Sequence, residues 1–370
     1  MKRVTFKMLV CVLVIWSLTT VTFAGHGKGY GHVKKQLQDY FQQEADAKAL
    51  SGSVIIAKEG KILLKKGFGL ADYEIGKPNN PGTVFAIASM TKAFTSMSIM
   101  ILEERGLLSV NDLVSDYVPE YPNGDQMTIH NLLGMTAGIP NFLLYVVEIG
   151  QLHTPEDLFE SFMYEPLAFE PGTQYEYCNS CYVLLGMIIE RVSGMTYRDF
   201  INTNILEPLN MRHTCYDPYD LEFLYKRAIG YDDITVDPPI FTTFLSASVA
   251  YSAGGIYSDV KDMYRWAQSL YTEQLVSSET LDRIFTPGFG DYGYGWWIDT
   301  LEINGEPHRH MWHWGSYWGF HGIISRLVDE KITCIILLNT TTPYLATDEP
   351  TDLLNFVSNA AAIIFDASHK

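Results

Sequence analysis

The sequence is short of positive charge. Its 370 residues hold 26 Lys and Arg against 43 Asp and Glu, a formal net charge of −17. Phosphate backbones are held by clustered cations, so this balance argues against nucleic acid as a partner. Cysteine is scarce too, at five. The Cys178-x-x-Cys181 pair lacks the βαβ context of a thioredoxin-like redox motif and is only half of a zinc ribbon. Two small packing residues or a local disulfide remain as readings. Long apolar runs are missing as well. The longest one noted, Met8 to Trp16, falls short of the ~20 residues that span a bilayer. There is no internal repeat and no helical His-Glu-x-x-His.

What is present is globular material. At 47% hydrophobic, 13% aromatic and 19% charged residues, the chain is too apolar for disorder and too mixed for a multi-span membrane protein. At ~150 residues per domain, its length allows two folding units around a shared core.

The N-terminus reads as an export signal. Lys2, Arg3 and Lys7 precede the apolar run, and Thr22-Phe23-Ala24 offers small residues for cleavage before Gly25. The alternative is an uncleaved anchor. Cys11 lacks the preceding small residue of a lipid-attachment site. Removal of residues 1–24 takes three cations from a chain of net charge −17 and leaves −20. The expected location is secreted, periplasmic or at the cell envelope, with no stable membrane insertion after cleavage. Export permits disulfides, and Cys178, Cys181, Cys215 and Cys334 allow three full pairings that sequence does not separate.

Periodicity then divides the chain. Gly25 to Lys35 reads as a flexible start, and Val33 to Leu50 carries a helical pattern. Ser53 to Lys58 and Lys61 to Gly67 read as a hairpin across Glu59-Gly60. Ser89 to Glu104 reads as a helix ended by Gly106. Helical stretches at 154–163 and 182–192 are broken by many prolines. Later come a helix at 258–270, a strand at 294–300, an apolar hairpin over 319–328 and 332–339, and a closing helix at 353–365. Strands at both ends with helices between predict an α/β (α+β) fold: one antiparallel sheet built from both termini, helices on both faces, and an inserted helical subdomain. The predicted division is a leader over 1–24, an α/β part over 25–107 and 246–370, and the helical subdomain over 108–245.

Three short motifs can carry chemistry. Ser89-Met90-Thr91-Lys92 places an amine one helical turn from a hydroxyl, which needs a base before it can attack a carbonyl. Ser258-Asp259-Val260-Lys261 has the same pattern, but an N-cap explains it. Ser89 instead follows the apolar run Val84 to Ala88 and leads an apolar helix, whose start supplies partial positive charge. Tyr177-Cys178-Asn179 offers a phenol that a neighbouring ammonium can acidify below its usual pKa of ~10, and an amide that can hold a substrate. Tyr121-Pro122-Asn123 has the same spacing but reads as an exposed turn. The third motif is His313-Trp314-Gly315.

In this order the three motifs resemble those of the penicillin-recognising serine hydrolases: class C β-lactamases, D-alanyl-D-alanine carboxypeptidases, related esterases and D-aminopeptidases. Thr128 to Leu133, Thr136-Ala137-Gly138, Tyr182 to Val192, Ala253 to Ser258, Tyr292 to Trp296 and Gly319-Phe320 resemble further landmarks, so the likeness spans roughly residues 35–365. It implies an acyl-enzyme on Ser89, with Lys92 and Tyr177 moving the proton and water releasing the acyl group. It also implies an oxyanion hole from the N–H groups of Ser89 and Ser316. Asn179 would orient a small-molecule or short-peptide substrate, and His313, Trp314 and Gly315 would line the cleft, His313 as its cationic or donor residue. No cofactor and no metal are implied, and no residue matches the glutamate base of class A enzymes. Two positions depart from the family pattern. Trp314 replaces a hydroxyl residue that helps hold a substrate carboxylate, and Met135 stands where many relatives have histidine.

Two readings from other classes compete. His308-x-His310-x-x-His313 suggests zinc, because His308 and His310 would share one face of a strand. A binding protein on the same fold would be expected to have lost Ser, Lys or Tyr from the motifs, and none is lost. Among enzymes, a peptidase or carboxypeptidase on D-amino-acid-containing peptides, a carboxylesterase and a β-lactamase stay open. The sequence sets no oligomeric state.

Overall fold

The computed structural model describes residues 29–141, 152–216, 225–242, 246–341 and 350–368. The expected leader over 1–24 and Cys11 lie outside these residues. Six strands form one antiparallel sheet: β1 (Gly52–Lys58), β2 (Lys61–Phe68), β3 (Trp297–Ile303), β4 (Glu306–Tyr317), β5 (Phe320–Leu327) and β6 (Ile332–Leu338). Their order is β2-β1-β6-β5-β4-β3, so the two chain ends meet where β1 pairs with β6. The β1–β2 turn has positive φ at both Glu59 and Gly60, the geometry of a tight two-residue hairpin.

Both faces of this sheet are covered, which is why β6 (Ile332–Leu338) is buried throughout and apolar apart from Thr333. Cys334, Ile336 and Leu338 enter one core with α1 (Gly29–Asp46) and the C-terminal helix, α5 (Thr351–Ser368). Ile335 and Leu337 enter the other core, with α2 (Thr91–Glu104), α3 (Asn179–Ser193) and α4 (Val260–Ser269). Alternation along each strand thus feeds two cores at once. In the second of these, Phe94 of α2 stacks on Trp266 of α4 at 4.2 Å between ring centroids. No helix among the described residues is long and apolar enough to cross a membrane.

Several local expectations are corrected. The segment up to Lys35 is helical from Gly29 onward, because Val33, Leu37 and Phe41 form one buried stripe that seats α1 on its core. The helix expected over 154–163 runs only over Pro155–Glu160. Strand β4 was not legible as a strand, since its centre is buried on both faces and shows no simple alternation. Tyr121 is no exposed turn residue. It is 2% exposed and packs edge-on against Phe159 and Phe162. The turn itself is where it was expected, closed by Gly124 N–H donating to Tyr121 O at 3.0 Å, with Pro122 exposed.

Candidate active site

Ser89 lies in a single 3-10 turn, Ala88–Met90, that leads directly into α2. Ala88 has φ +47°, a left-handed conformation in which a Cβ is strained. Neighbouring strands hold this bend. Phe85–Ala86 pairs with Tyr257–Ser258, and Ile87 N–H donates to Ile256 O at 3.0 Å. Ser258, the competing serine, is fully buried and shares a 2.8 Å hydrogen bond with Thr214. The N-cap there is Asp259, which accepts from the N–H groups of Lys261 and Asp262.

Lys92, one turn after Ser89, is fully buried. Its Nζ lies 3.2 Å from Ser89 Oγ, 2.7 Å from Asn179 Oδ1 and 2.8 Å from Ala253 O. Burial holds its pKa well below the usual lysine value. The partner set gives that shift a direction. A carbonyl and an amide oxygen can only accept, so a neutral amine must spend both N–H bonds on them. Its lone pair then faces the Ser89 hydroxyl.

Tyr177 completes the group from the residue pair before α3. The Ser89 side chain is near enough to its phenol to pull its pKa down, and Lys92 Nζ lies 4.8 Å from its ring centroid, over the face of the phenol. The expectation of an acidified tyrosine is corrected here. Burial raises the Tyr177 pKa, and the nearby phenols Tyr175 and Tyr182 add to the rise. The group therefore rests as a protonated phenol. Asn179 is the first residue of α3, and its Nδ2 donates to Asn141 Oδ1 at 3.2 Å. Cys178 and Cys181 form a disulfide across this helix start, whereas Cys215 and Cys334 are buried thiols outside any disulfide.

Strand β4 brings in the third motif. Its register with β3 ends at Trp312↔Trp297, so beyond Trp312 the strand edge carries no β3 partner. His313 is fully buried. Its Nδ1 donates to Trp314 O at 2.6 Å, and its Nε2 accepts from the Tyr292 hydroxyl at 3.1 Å. Burial, reinforced by Lys92 where its amine is protonated, lowers its pKa to about 3. His313 is thus neutral and behind the cleft wall, which corrects the expected cationic role. Trp314 pairs with Ile323, which faces the core beneath α1 and α5, whereas His313 pairs with Ile324 of the opposite core. The Trp314 ring accordingly lies on the other face of β4, 5.6 Å from the His321 ring.

These residues border a cleft of about 900 Å³ that includes Ser89, Tyr177, Asn179, Trp314, Gly315 and Ser316. Two residues that border it, Trp297 and Ala253, and one that does not, Asp299, were not foreseen from the sequence. Trp297 stacks on Tyr177 at 5.8 Å with ring planes 9° apart, and on Trp312 at 5.0 Å. Trp312 Nε1 in turn donates to Asp299 at 2.9 Å. The Ala253 carbonyl that orients Lys92 could have been suspected from the landmark at 253–258. Trp297 and Asp299 gave no signal.

The three histidines weighed for zinc go to separate partners: His308 to Glu330, His310 to Asp299 and Ser325, and His313 to Tyr292. No group of three metal-ligating side chains is gathered among the described residues. Asp299, His310 and Ser325 have the hydrogen-bond order of a Ser–His–Asp relay. However, Ser325 and His310 are 1% exposed and neither borders the cleft, so the set ties β3, β4 and β5 together.

The Beta-lactamase family profile matches residues 37–355. Penicillin-binding protein 4* of Bacillus subtilis strain 168 is 32% identical over 83% of this chain and 72% of its own length. The putative penicillin-binding protein PbpX of the same strain is 36% identical over 67% of this chain, which spans only 62% of that relative. Among solved structures, an octameric penicillin-binding protein homologue from Pyrococcus abyssi superposes with a TM-score of 0.74 at 29% identity, covering 88% of this chain and 76% of that one. A D-amino acid amidase from Ochrobactrum anthropi SV3 reaches 0.79 at 21% identity, covering 90% and 99%, a likeness of fold. This chain belongs to the beta-lactamase family of serine hydrolases.

Proposed function

We propose that this chain is an exported serine hydrolase that forms an acyl-enzyme on Ser89 with amide or ester carbonyls. Its favoured substrates would be short D-amino-acid-containing peptides or amides. The observation that carries the reading is the fully buried Lys92 amine 3.2 Å from Ser89 Oγ, with its other two partners fixed as acceptors. Neutral Lys92 takes the Ser89 proton as oxygen attacks the carbonyl carbon. Tyr177, a protonated phenol close to Ser89 and Lys92, passes a proton to the leaving amine or alcohol and recovers it through Lys92. The N–H groups of Ser89 and Ser316 receive the oxyanion, and Asn179 orients the substrate. Water then releases the acyl group by the reverse proton path. The export reading rests on the N-terminal charge and apolar pattern, together with the penicillin-binding names of the relatives.

A fluorophosphonate or labelled penicillin, followed by peptide mass mapping, tests the assignment. Label is expected on Ser89 and lost in Ser89→Ala. Label on Ser258, or labelling unchanged in Ser89→Ala, would overturn it.

A further inference from the structure

The aim of Lys92 at Ser89 depends on the Ala253 carbonyl, which holds one of its hydrogens at 2.8 Å. That carbonyl belongs to a single helical turn, Tyr251–Gly254. Its first residue, Tyr251, has φ +39°, a left-handed conformation that a bulky side chain adopts only where its surroundings impose it. Something outside the turn must therefore hold it.

Helix α2, which carries Lys92, supplies that restraint. Thr95 lies one turn beyond Lys92 on the same face and is fully buried. Its Oγ1 donates to Ser252 O at 2.6 Å, one residue before the Ala253 carbonyl. The same Oγ1 lies 2.7 Å from the Tyr197 hydroxyl. A carbonyl can only accept, and a hydroxyl has one hydrogen to give. The Thr95 hydrogen is thus committed to Ser252, since the Thr91 carbonyl is far longer at 3.5 Å. Tyr197 is then the donor to Thr95. On the other side of Lys92, Thr91 Oγ1 accepts from Ile256 N–H at 3.2 Å. Two hydroxyls of α2, flanking Lys92 in sequence, grip the backbone on both sides of Ala253. The turn also rests on α3. Ser252 Oγ donates to Tyr182 O at 2.8 Å, and a Cβ on Gly186 would stand 2.1 Å from that Oγ.

We infer that Thr95 is a positioning residue for the general base: its hydroxyl fixes the backbone at Ser252 against α2 and so keeps the Lys92 lone pair on Ser89. Without that bond the turn can tilt, the Ala253 carbonyl leaves Lys92, and the amine can rotate away. Thr95 is not among the residues bordering the cleft, so it acts on the base and not on the substrate. The inference rests on the acyl-enzyme reading above and deepens it.

The test is a series at position 95, read with a p-nitrophenyl ester. Thr95→Val keeps the shape and loses the donor, whereas Thr95→Ser keeps the donor. Acylation and deacylation both draw on Lys92, so Thr95→Val should lower kcat about tenfold and leave KM unchanged. Thr95→Ser should keep most of the wild-type kcat. Tyr197→Phe removes an equally buried hydroxyl but leaves the bond from Thr95 to Ser252. It should lower the melting temperature without the fall in kcat. Where Thr95→Val does not fold, Thr95→Cys, whose thiol is a weaker donor, should show a smaller fall in the same direction. An unchanged kcat in Thr95→Val, or in Thr95→Cys where it is read instead, would overturn the inference. So would a fall in Tyr197→Phe or Thr95→Ser as large as in Thr95→Val, because that marks general damage to the core. Fluorophosphonate labelling separates the two levels. Ser89 labelled, with kcat indifferent to position 95, sinks this inference only, whereas no label and no ester turnover in the wild type sinks the acyl-enzyme reading beneath it.

Discussion

Gly315 lies directly against the backbone of Ser89: a Cβ at position 315 would stand 2.9 Å from Ser89 N and 2.3 Å from Ile87 O. The third motif therefore needs glycine for close approach, so that β4 can meet the turn that carries the nucleophile.

Gly315→Ala should push β4 and the Ala88–Met90 turn apart. A misplacement near 1 Å costs about a hundredfold in rate, and overpacking costs roughly 1–3 kcal/mol of stability. Ester turnover and a thermal melt on the same preparation would check both. Wild-type turnover in the variant would mean the strand and the turn can separate without affecting the oxyanion site.

Lys92 bonds Ser89 and lies over the ring of Tyr177, so the two act as one proton-transfer unit and their removal should be strongly non-additive. Lys92→Ala and Tyr177→Phe should each lower kcat by about a hundredfold or more, and the double variant should be little worse than either. The wild-type rate should rise with pH as Lys92 loses its proton. Because burial lowers its pKa, that rise falls below the usual lysine range, and Lys92→Ala should abolish it. Multiplying losses in the double variant would show two independent roles.

His313 makes a stability prediction with a definite sign. Unfolded, it binds a proton near pH 6.5; folded, only near pH 3. Between those values the unfolded state holds the extra proton, so acid favours unfolding and stability rises with pH. At pH 4.5 the loss from this residue is about 2–3 kcal/mol relative to neutral pH. Urea midpoints at pH 7 and 4.5 should therefore drop less in His313→Gln than in the wild type. Equal drops would mean that the imidazole is not held neutral by burial.

Much of this was legible in the residues, and the gaps have physical causes. Ser89 and Lys92 could be paired because one helical turn separates them, and Tyr177 and Asn179 because they are two residues apart. That the two pairs meet followed only from the family resemblance, and the structure places them in one group. The charge states could not be found, because they depend on burial. Sequence allowed an acidified Tyr177 and left His313 as a cationic or donor residue, and burial shifts both toward their neutral forms. The aromatic chain from Tyr177 through Trp297 and Trp312 to Asp299 depends on the β3–β4 register. A strand buried on both faces gives no periodic signal from which to read that register.

Trp314 was expected to replace a hydroxyl that holds a substrate carboxylate, and its orientation changes the prediction. Its ring lies on the face of β4 that packs beneath α1 and α5, beside His321, while His313 and Gly315 face the Ser89 turn. A threonine at 314 would put its hydroxyl on that far face. Trp314→Thr should therefore cost stability, about 1–3 kcal/mol for lost aromatic packing, and leave the ratio of kcat/KM for neutral and carboxylate esters unchanged. Thermal melts, and kcat/KM for a matched pair of p-nitrophenyl esters whose acyl chains end in tert-butyl or in carboxylate, measure the two effects separately. A shift of several-fold toward carboxylate esters would show that the indole swings into the cleft when substrate binds, and would return position 314 to a role in substrate selection.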